Sequence, residues 1–510
     1  MSTKSKASDV WKNTVLKWRS VSPKKQKIAY VAGSTTIAVL GLLLGGRNTV
    51  HEPADAHDVE ALSRIPFSKL FTGWIQFLGG ETTDDCIPKI QDLRKGHIGT
   101  LLGYNIEAEL DGTSKNPELI RAQVERVMES IDAQGQLGRN FYPDTSATGG
   151  DNRSWVRIKV TGLLPQPIAL LHGSDAILTA RESKGLDIDV PYPGLPHDGD
   201  WEAALNGKQV TPADRQQLLE LYATLDRIMA KAREQNVRVV IDAEQTWYQP
   251  IIDSLTDELM QKYNNLDGPA ICVASFQAYL RRYPQLLDQQ VLRAQEKGYK
   301  LLFKQVRGAY IKTEGERWAK EGRKGPGPVW GSKAETDASF NYGIAKTLAT
   351  VSSQIQETGH SQIGAVFATH NSTSVDLGIR LLEEHGLAKR RSSDGRLIVS
   401  NEAAGSISFG QIYGSAYCSV SLHEDNPRAN PILGMKDDLT NKIAGSIATI
   451  DGFPLVIKSM SYGDLKECLP FLARRATENK AILEGRGGAS AERIRLSREM
   501  RRRLLWWTSY

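Results

Sequence analysis

From residue 98 onward the chain alternates short apolar or β-branched runs with longer amphipathic stretches, and that rhythm constrains the fold more than any other feature. The runs are IGTLLGYNI (98–106), WVRIKV (155–160), VRVVI (237–241), AICVAS (270–275), KLLFKQV (300–306), GAVFA (364–368), SISFGQI (406–412) and PLVIKSM (454–460). Between them lie stretches such as ADRQQLLELYATLDRIMAKAREQ and SVDLGIRLLEEHGL, with the 3.6-residue period of surface helices. Eight strands with helical crossovers predict an α/β chain forming a parallel (βα)8 barrel of the TIM type over residues 61–485. An open doubly wound sheet is the alternative. Residues 184–212, rich in Pro, Gly and Asp, break the rhythm and read as a long surface insertion.

The chain has 510 residues with 40% hydrophobic content, enough for one large core or two ordinary ones. Its net charge of +5 comes from the two ends. Residues 1–50 hold nine Lys/Arg against one Asp, residues 486–510 seven Arg against two Glu, and the stretch between carries 48 basic and 56 acidic residues. An acidic body argues against nucleic-acid binding. Cys86, Cys272, Cys418 and Cys468 lie far apart with no CxxC, which suggests a reducing compartment and neither structural zinc nor any other metal. The basic segment 1–60 contains nineteen uncharged residues at 28–46, IAYVAGSTTIAVLGLLLGG, just long enough to span a hydrocarbon core of roughly 30 Å. Upstream, Trp11, Val15 and Trp18 share one helical face among lysines. The segment reads as a mitochondrial targeting sequence or inner-membrane anchor, or else as a merely interfacial stretch.

In a barrel of this kind, polar residues just past the strands' C-terminal ends face the active-site mouth. Here they are Lys159; Asp242, Glu244 and Gln245; Phe276, Gln277 and Tyr279; Lys304, Arg307 and Tyr310; His370 and Asn371; and Tyr462. Each alone reads as a loop salt bridge or a core hydrogen bond. Near the C-terminus, Phe471, Arg474, Arg475 and Glu478 stand at i, i+3, i+4 and i+7, one stripe of a helix. Two neighbouring guanidiniums beside apolar surface repel unless an anion sits between them. The bland reading is a solvated charge pair.

The segments DAEQTWYQP (242–250), SFQAYLRRYP (275–284), QVRGAYI (305–311), TDASFN (336–341), FATHN (367–371), FGQIYG (409–414) and SYGDLKECLPFLARRATEN (461–479) resemble the mitochondrial proline dehydrogenases of eukaryotes, in the same order, from about residue 60 to 485. The resemblance implies a distorted (βα)8 barrel holding FAD, its last helix over the mouth, that oxidises L-proline to 1-pyrroline-5-carboxylate and passes electrons to ubiquinone at the membrane. It assigns Arg474, Arg475 and Lys159 to the substrate carboxylate, places Asp242, Tyr310 and Tyr462 in the catalytic site, and lines the FAD site with Gln277, Lys304, Arg307, Thr336, His370, Asn371 and Glu478. A GxGxxG turn is lacking: Gly325-Pro-Gly327-Pro-Val-Trp-Gly331 has the wrong spacing, which argues against a Rossmann flavoprotein and not against FAD. Asp242 is expected to pair with Lys159.

The chain departs from the family's pattern at several positions. Gln305 replaces a leucine expected against the substrate ring, Phe471 replaces a tyrosine, and Ser415-Ala416-Tyr417 replaces Met-x-Asp. A polar Gln305 in the pocket would favour a hydroxylated ring, making hydroxyproline or another cyclic imino acid the alternative substrate. Two other classes compete: a catalytically silent, membrane-anchored homologue that binds a partner or metabolite, with the arginine-rich tail 493–503 and LLWW (504–507) as its contact surface, and a Schiff-base lyase using Lys159 or Lys304.

Overall fold

The computed structural model describes residues 78–104, 116–147, 150–413, 437–464 and 468. Within them all eight apolar runs form strands: β1 (Ile98–Tyr104), β2 (Ser154–Ile158), β3 (Arg238–Ile241), β4 (Cys272–Gln277), β5 (Leu301–Val306), β6 (Ile363–Ala368), β9 (Ile407–Ile412) and β11 (Val456–Tyr462). They close in the order β1-β11-β9-β6-β5-β4-β3-β2, every pair parallel. Closure through β1 and β11, in register from Ile98 with Val456 to Tyr104 with Tyr462, excludes the open sheet. A small separate sheet of β7 (Ala388–Arg390), β8 (Leu397–Val399) and β10 (Ile447–Thr449) was not foreseen.

The crossovers are helical: α1 (Thr83–Lys95), α2 (Pro117–Phe141), α3 (Ile168–Ser183), α4 (Pro212–Glu234), α5 (Gln249–Tyr263), α6 (Tyr283–Lys297), α7 (Ile311–Lys320), α8 (Lys333–Thr358), α9 (Ser372–Glu384) and α10 (Asp437–Ser446). Helix α4 shows why. Thr211 caps it by accepting from Asp214 N, the Asp214 side chain returns to Thr211 N, and Pro212 takes the first turn, where no N–H is needed. Leu218, Leu221, Leu225, Ile228 and Ala232 then bury one face against the outside of the barrel.

The insertion 184–212 lies against its neighbours, held by pairs remote in sequence. Buried Arg181 binds Asp200 and Asp187, Arg293 binds Asp198, and Arg282 donates to Gly194 O at 2.6 Å. The apolar run 28–46, the helix carrying Arg474 and Arg475, and the basic tail lie outside the described residues. Among those described, no helix is long and apolar enough to cross a membrane.

Strand parity decides which side chains enter the barrel, because successive residues point to opposite faces. Leu101, Trp155, Val240, Val273, Leu302, Val366 and Ile457 form an inward cluster contributed by seven strands. Counting in twos from these places Arg157, Lys159, Asp242, Ser275, Gln277, Lys304 and Ser461 on the inner face toward the C-terminal end. Their neighbours, including Phe276, Phe303 and Phe409, pack outward under the helices.

The N-terminal end of the barrel is closed by a buried ionic cluster. Asp151 accepts from Arg153 N and Trp155 Nε1, both at 2.8 Å, pairs with the Arg153 guanidinium and lies 3.8 Å from Arg238 Nε. Arg153 also donates to Ile407 O at 2.9 Å and to Ala404 O, so one side chain ties β2 to β9 across the barrel. Burial pushes the Asp151 carboxyl up, but Arg153, Arg238 and the two N–H donors outweigh it and hold it below the usual carboxylate range. A depressed folded pKa gives stability that is present above the unfolded value of about 3.9 and lost as pH falls through the folded value. Asp151→Asn should leave two buried guanidiniums uncompensated and cost about 3–5 kcal/mol at pH 7, measured as a lower urea midpoint at unchanged slope, and its deficit relative to wild type should shrink on acidification.

Candidate active site

The inner-face polar residues meet at the C-terminal mouth. Lys159 and Asp242 immediately follow the paired ends Ile158 and Ile241, and Asp242 N donates to Ile158 O at 2.9 Å, so they stand side by side. Asp242 Oδ1 accepts from Lys304 Nζ, and Oδ2 accepts from Arg157 Nη1 at 3.3 Å. Burial pushes the Asp242 carboxyl up, yet Lys304, then Arg157 and Lys159, more than offset this and hold it far below the ordinary carboxylate range. The sequence expectation of a pair with Lys159 is corrected in detail. The carboxylate oxygens bond Lys304 and Arg157, while Lys159 donates to the Tyr310 hydroxyl at 2.7 Å, its Nζ 5.5 Å from that ring's centroid, and acts on Asp242 through its charge.

Gln277 ends β4 on the same face. Its Nε2 donates to Glu244 O at 2.8 Å and Tyr279 Oη at 3.2 Å. Its Oε1, and Ser275 Oγ two residues below, are buried with no protein partner among the described residues. Ser275 is level with Lys304 in the β4–β5 register. Two orphaned acceptors beside a part-buried ammonium are costly, and they are groups a polar heterocycle would satisfy.

Arg307, Thr336, His370 and Asn371 gather on the rim at the β5–β6 side. Arg307 pairs with Asp337 near the start of α8, donates to Thr369 Oγ1 at 3.2 Å and Ser374 Oγ at 2.7 Å, and stacks 4.4 Å from the Phe340 centroid. Thr336 adjoins Asp337 and bonds Ser332 O at 3.2 Å. His370 Nε2 accepts from Ile412 N at 3.1 Å, which puts the neutral ring's proton on Nδ1. Asn371 caps α9, its Oδ1 accepting from Thr373 N and Ser374 N.

Two expected site side chains face the other way. Gln305 is fully buried on the outer face of β5, donating to Phe340 O in α8 at 2.6 Å, with Oε1 unpartnered among the described residues. It sits one residue out of phase with Lys304 and so cannot line the pocket. Tyr462, out of phase with Ser461, packs outside β11, its hydroxyl 2.7 Å from Ser130 Oγ and donating to Arg126 O at 2.9 Å, both in α2. Phe471, Arg474, Arg475 and Glu478 lie outside the described residues.

Arg157 was overlooked, although its spacing from Lys159 signals the shared face. Glu314 had no such signal. It lies buried in α7, accepts from Thr246 N at 2.7 Å and from the Thr246 hydroxyl, and ties that helix to the loop after β3. Burial pushes its pKa up to about 6, with the Thr246 bonds and Arg317 opposing.

A proline dehydrogenase family model matches residues 86–416. The chain is 26% identical to the mitochondrial proline dehydrogenase 1 of Dictyostelium discoideum over 84% of its own length and 64% of that protein's. It is 27% identical to the hydroxyproline dehydrogenase of Xenopus laevis, covering 84% and 77%. Among solved structures, proline utilization A of Bdellovibrio bacteriovorus, inactivated by N-propargylglycine, shares the fold at a TM-score of 0.57 and 17% identity, over 83% of this chain and 34% of that one.

The placement of Gln305 is directly testable. Gln305→Leu removes a buried amide whose Oε1 has no partner, so stability should change by no more than about 1 kcal/mol, in either direction. The ratio of kcat/KM for proline to that for hydroxyproline should stay at its wild-type value; a shift toward proline would put the side chain in the pocket after all.

Proposed function

The chain belongs to the proline dehydrogenase family, and from that premise we propose that it oxidises L-proline to 1-pyrroline-5-carboxylate with FAD, in the mitochondrion, delivering electrons to ubiquinone. The observation that carries the reading is the mouth itself: Lys159 bonded to Tyr310 above an Asp242–Lys304 pair, beside the orphaned Gln277 Oε1 and Ser275 Oγ. These residues suit an isoalloxazine. Gln277 offers an acceptor to a ring N–H, Lys304 sets a positive charge beside it, and Arg307, Thr336, His370, Asn371 and Glu478 would hold the remainder. FAD, when bound, supplies the hydride acceptor.

The protein's own share is placement. Lys159, with its ammonium fixed by the Tyr310 hydroxyl, takes the substrate carboxylate together with Arg474 and Arg475. Asp242 is a poor base, because both oxygens are engaged and its proton affinity is depressed. The amine therefore enters already neutral, and kcat/KM for proline rises with pH. The relatives' mitochondrial names, the basic N-terminal segment and its apolar run support the location and the membrane acceptor.

Purified full-length protein should show the visible flavin bands and lose them when proline is added without oxygen, and a soluble ubiquinone analogue should restore them. A colourless protein that rejects added FAD would mark a silent homologue instead. Arg475→Met should raise the KM for proline about 10- to 100-fold, the worth of a hydrogen bond to a charged group; an unchanged KM removes that arginine from the carboxylate site.

A further inference from the structure

Arg157 is an arginine inside a barrel, and its surroundings are built for it. The residue is 7% exposed. Nη1 donates to Asp242 Oδ2 at 3.3 Å and Nη2 to Ser461 Oγ at 2.6 Å, while the other Asp242 oxygen takes Lys304. A polar line Ser461–Arg157–Asp242–Lys304 thus crosses the interior from β11 to β5. Strand β1 lies between β11 and β2, and its residue at the crossing is Gly103. A Cβ there would stand 2.6 Å from both Cγ and Nε of Arg157, inside any tolerable contact, so the glycine leaves the corridor through which the guanidinium reaches Asp242 and Ser461.

We propose that Arg157 is a positioning residue for the oxidation: it keeps the Asp242 carboxylate ionised and turned so that Oδ1 stays on Lys304, which fixes that ammonium at the centre of the mouth. The inference rests on the mouth being the oxidation site. Asp242 alone reaches Lys304 through one oxygen, and a carboxylate held at one oxygen can rotate or take a proton. The Arg157 contact to Oδ2 stops both. Among the described residues, the charges facing Asp242 are Lys304 from β5, Arg157 from β2 and Lys159 just beyond it, so removing Arg157 withdraws one of the cations that depress its proton affinity.

The test uses the full chain with FAD and the variants R157M, R157K, D242N and R157M/D242N. Urea denaturation at pH 7 should give a non-additive cycle, the double variant losing clearly less than the two single losses combined. In turnover, R157M should lower kcat about tenfold or more with little change in the KM for proline, and should bring an acid limb of kcat into the measurable range. R157K, which restores the charge but not the two-sided contact, should recover part of kcat and move the limb back. An additive cycle overturns the proposal, as does coupling accompanied by wild-type kcat and pH profile, since the contact would then be structural only. If R157M does not fold, R157K replaces it in the cycle. Denaturation needs no turnover, so wild-type flavin that proline fails to reduce would sink the proline reading while the cycle still decides the Arg157–Asp242 coupling.

Discussion

The buried carboxylate of Asp242 is the interaction on which the mouth depends. Lys304 and Arg157 come from different strands and converge on its two oxygens, with Lys159 adding its charge from alongside. Cations brought this close inside a barrel would drive one another apart or shed a proton; one anion among them reverses the sign of the local energy. The same contacts fix direction. Lys304 is aimed by Asp242, Asp242 is braced by Arg157, and Arg157 is braced by Ser461, so the position of the central ammonium follows from backbone registers on β2, β3, β5 and β11.

Register also explains what could be read in advance. The eight strands were legible because each is a compact apolar run followed by a helical pattern, and closure of eight parallel strands leaves few alternatives. Lys159, Asp242, Gln277 and Lys304 were legible because they sit at strand ends on the inner phase. Gln305 and Tyr462 were misplaced because resemblance identifies a segment without stating which face of the wall a residue occupies. Counting in twos from Val366 through the β5–β6 pairing settles it: Lys304 is inside and Gln305 outside. What stayed illegible was of two kinds. Strands β7, β8 and β10 have three residues each, too few for a period to show. The anchors of 184–212 join partners such as Asp198 and Arg293, which only the folded chain brings together.

The two ends of the barrel use similar charged groups to opposite effect. At the N-terminal end, Asp151, Arg153 and Arg238 form a cluster in which the Arg153 guanidinium also bonds the backbone carbonyls of Ala404 and Ile407. That cluster spans the strands and closes them. At the C-terminal end the charges share their level with acceptors that no described residue answers, Gln277 Oε1 and Ser275 Oγ. An unsatisfied buried acceptor lowers stability, and one beside an aligned ammonium is what a polar ring would repay with hydrogen bonds.

On the proposed reading, a depressed carboxylate at the centre of the mouth limits the chemistry it can perform. A general base is most effective when its conjugate acid titrates near the working pH, and Asp242 lies far from that condition because the cations that make it a good anchor make it a poor proton acceptor. The interactions that position Lys304 therefore remove the nearest candidate for deprotonating the amine. Glu314, a carboxyl whose burial brings it to about 6, is committed to Thr246 through both oxygens and holds α7, which Tyr310 precedes, to the loop after β3. Its protonation changes how firmly that helix is tied down and leaves the substrate amine untouched. The proposed oxidation thus leaves proton removal to solvent before binding, and selection at this mouth falls on geometry: how exactly Lys159, Tyr310 and Lys304 are held relative to one another.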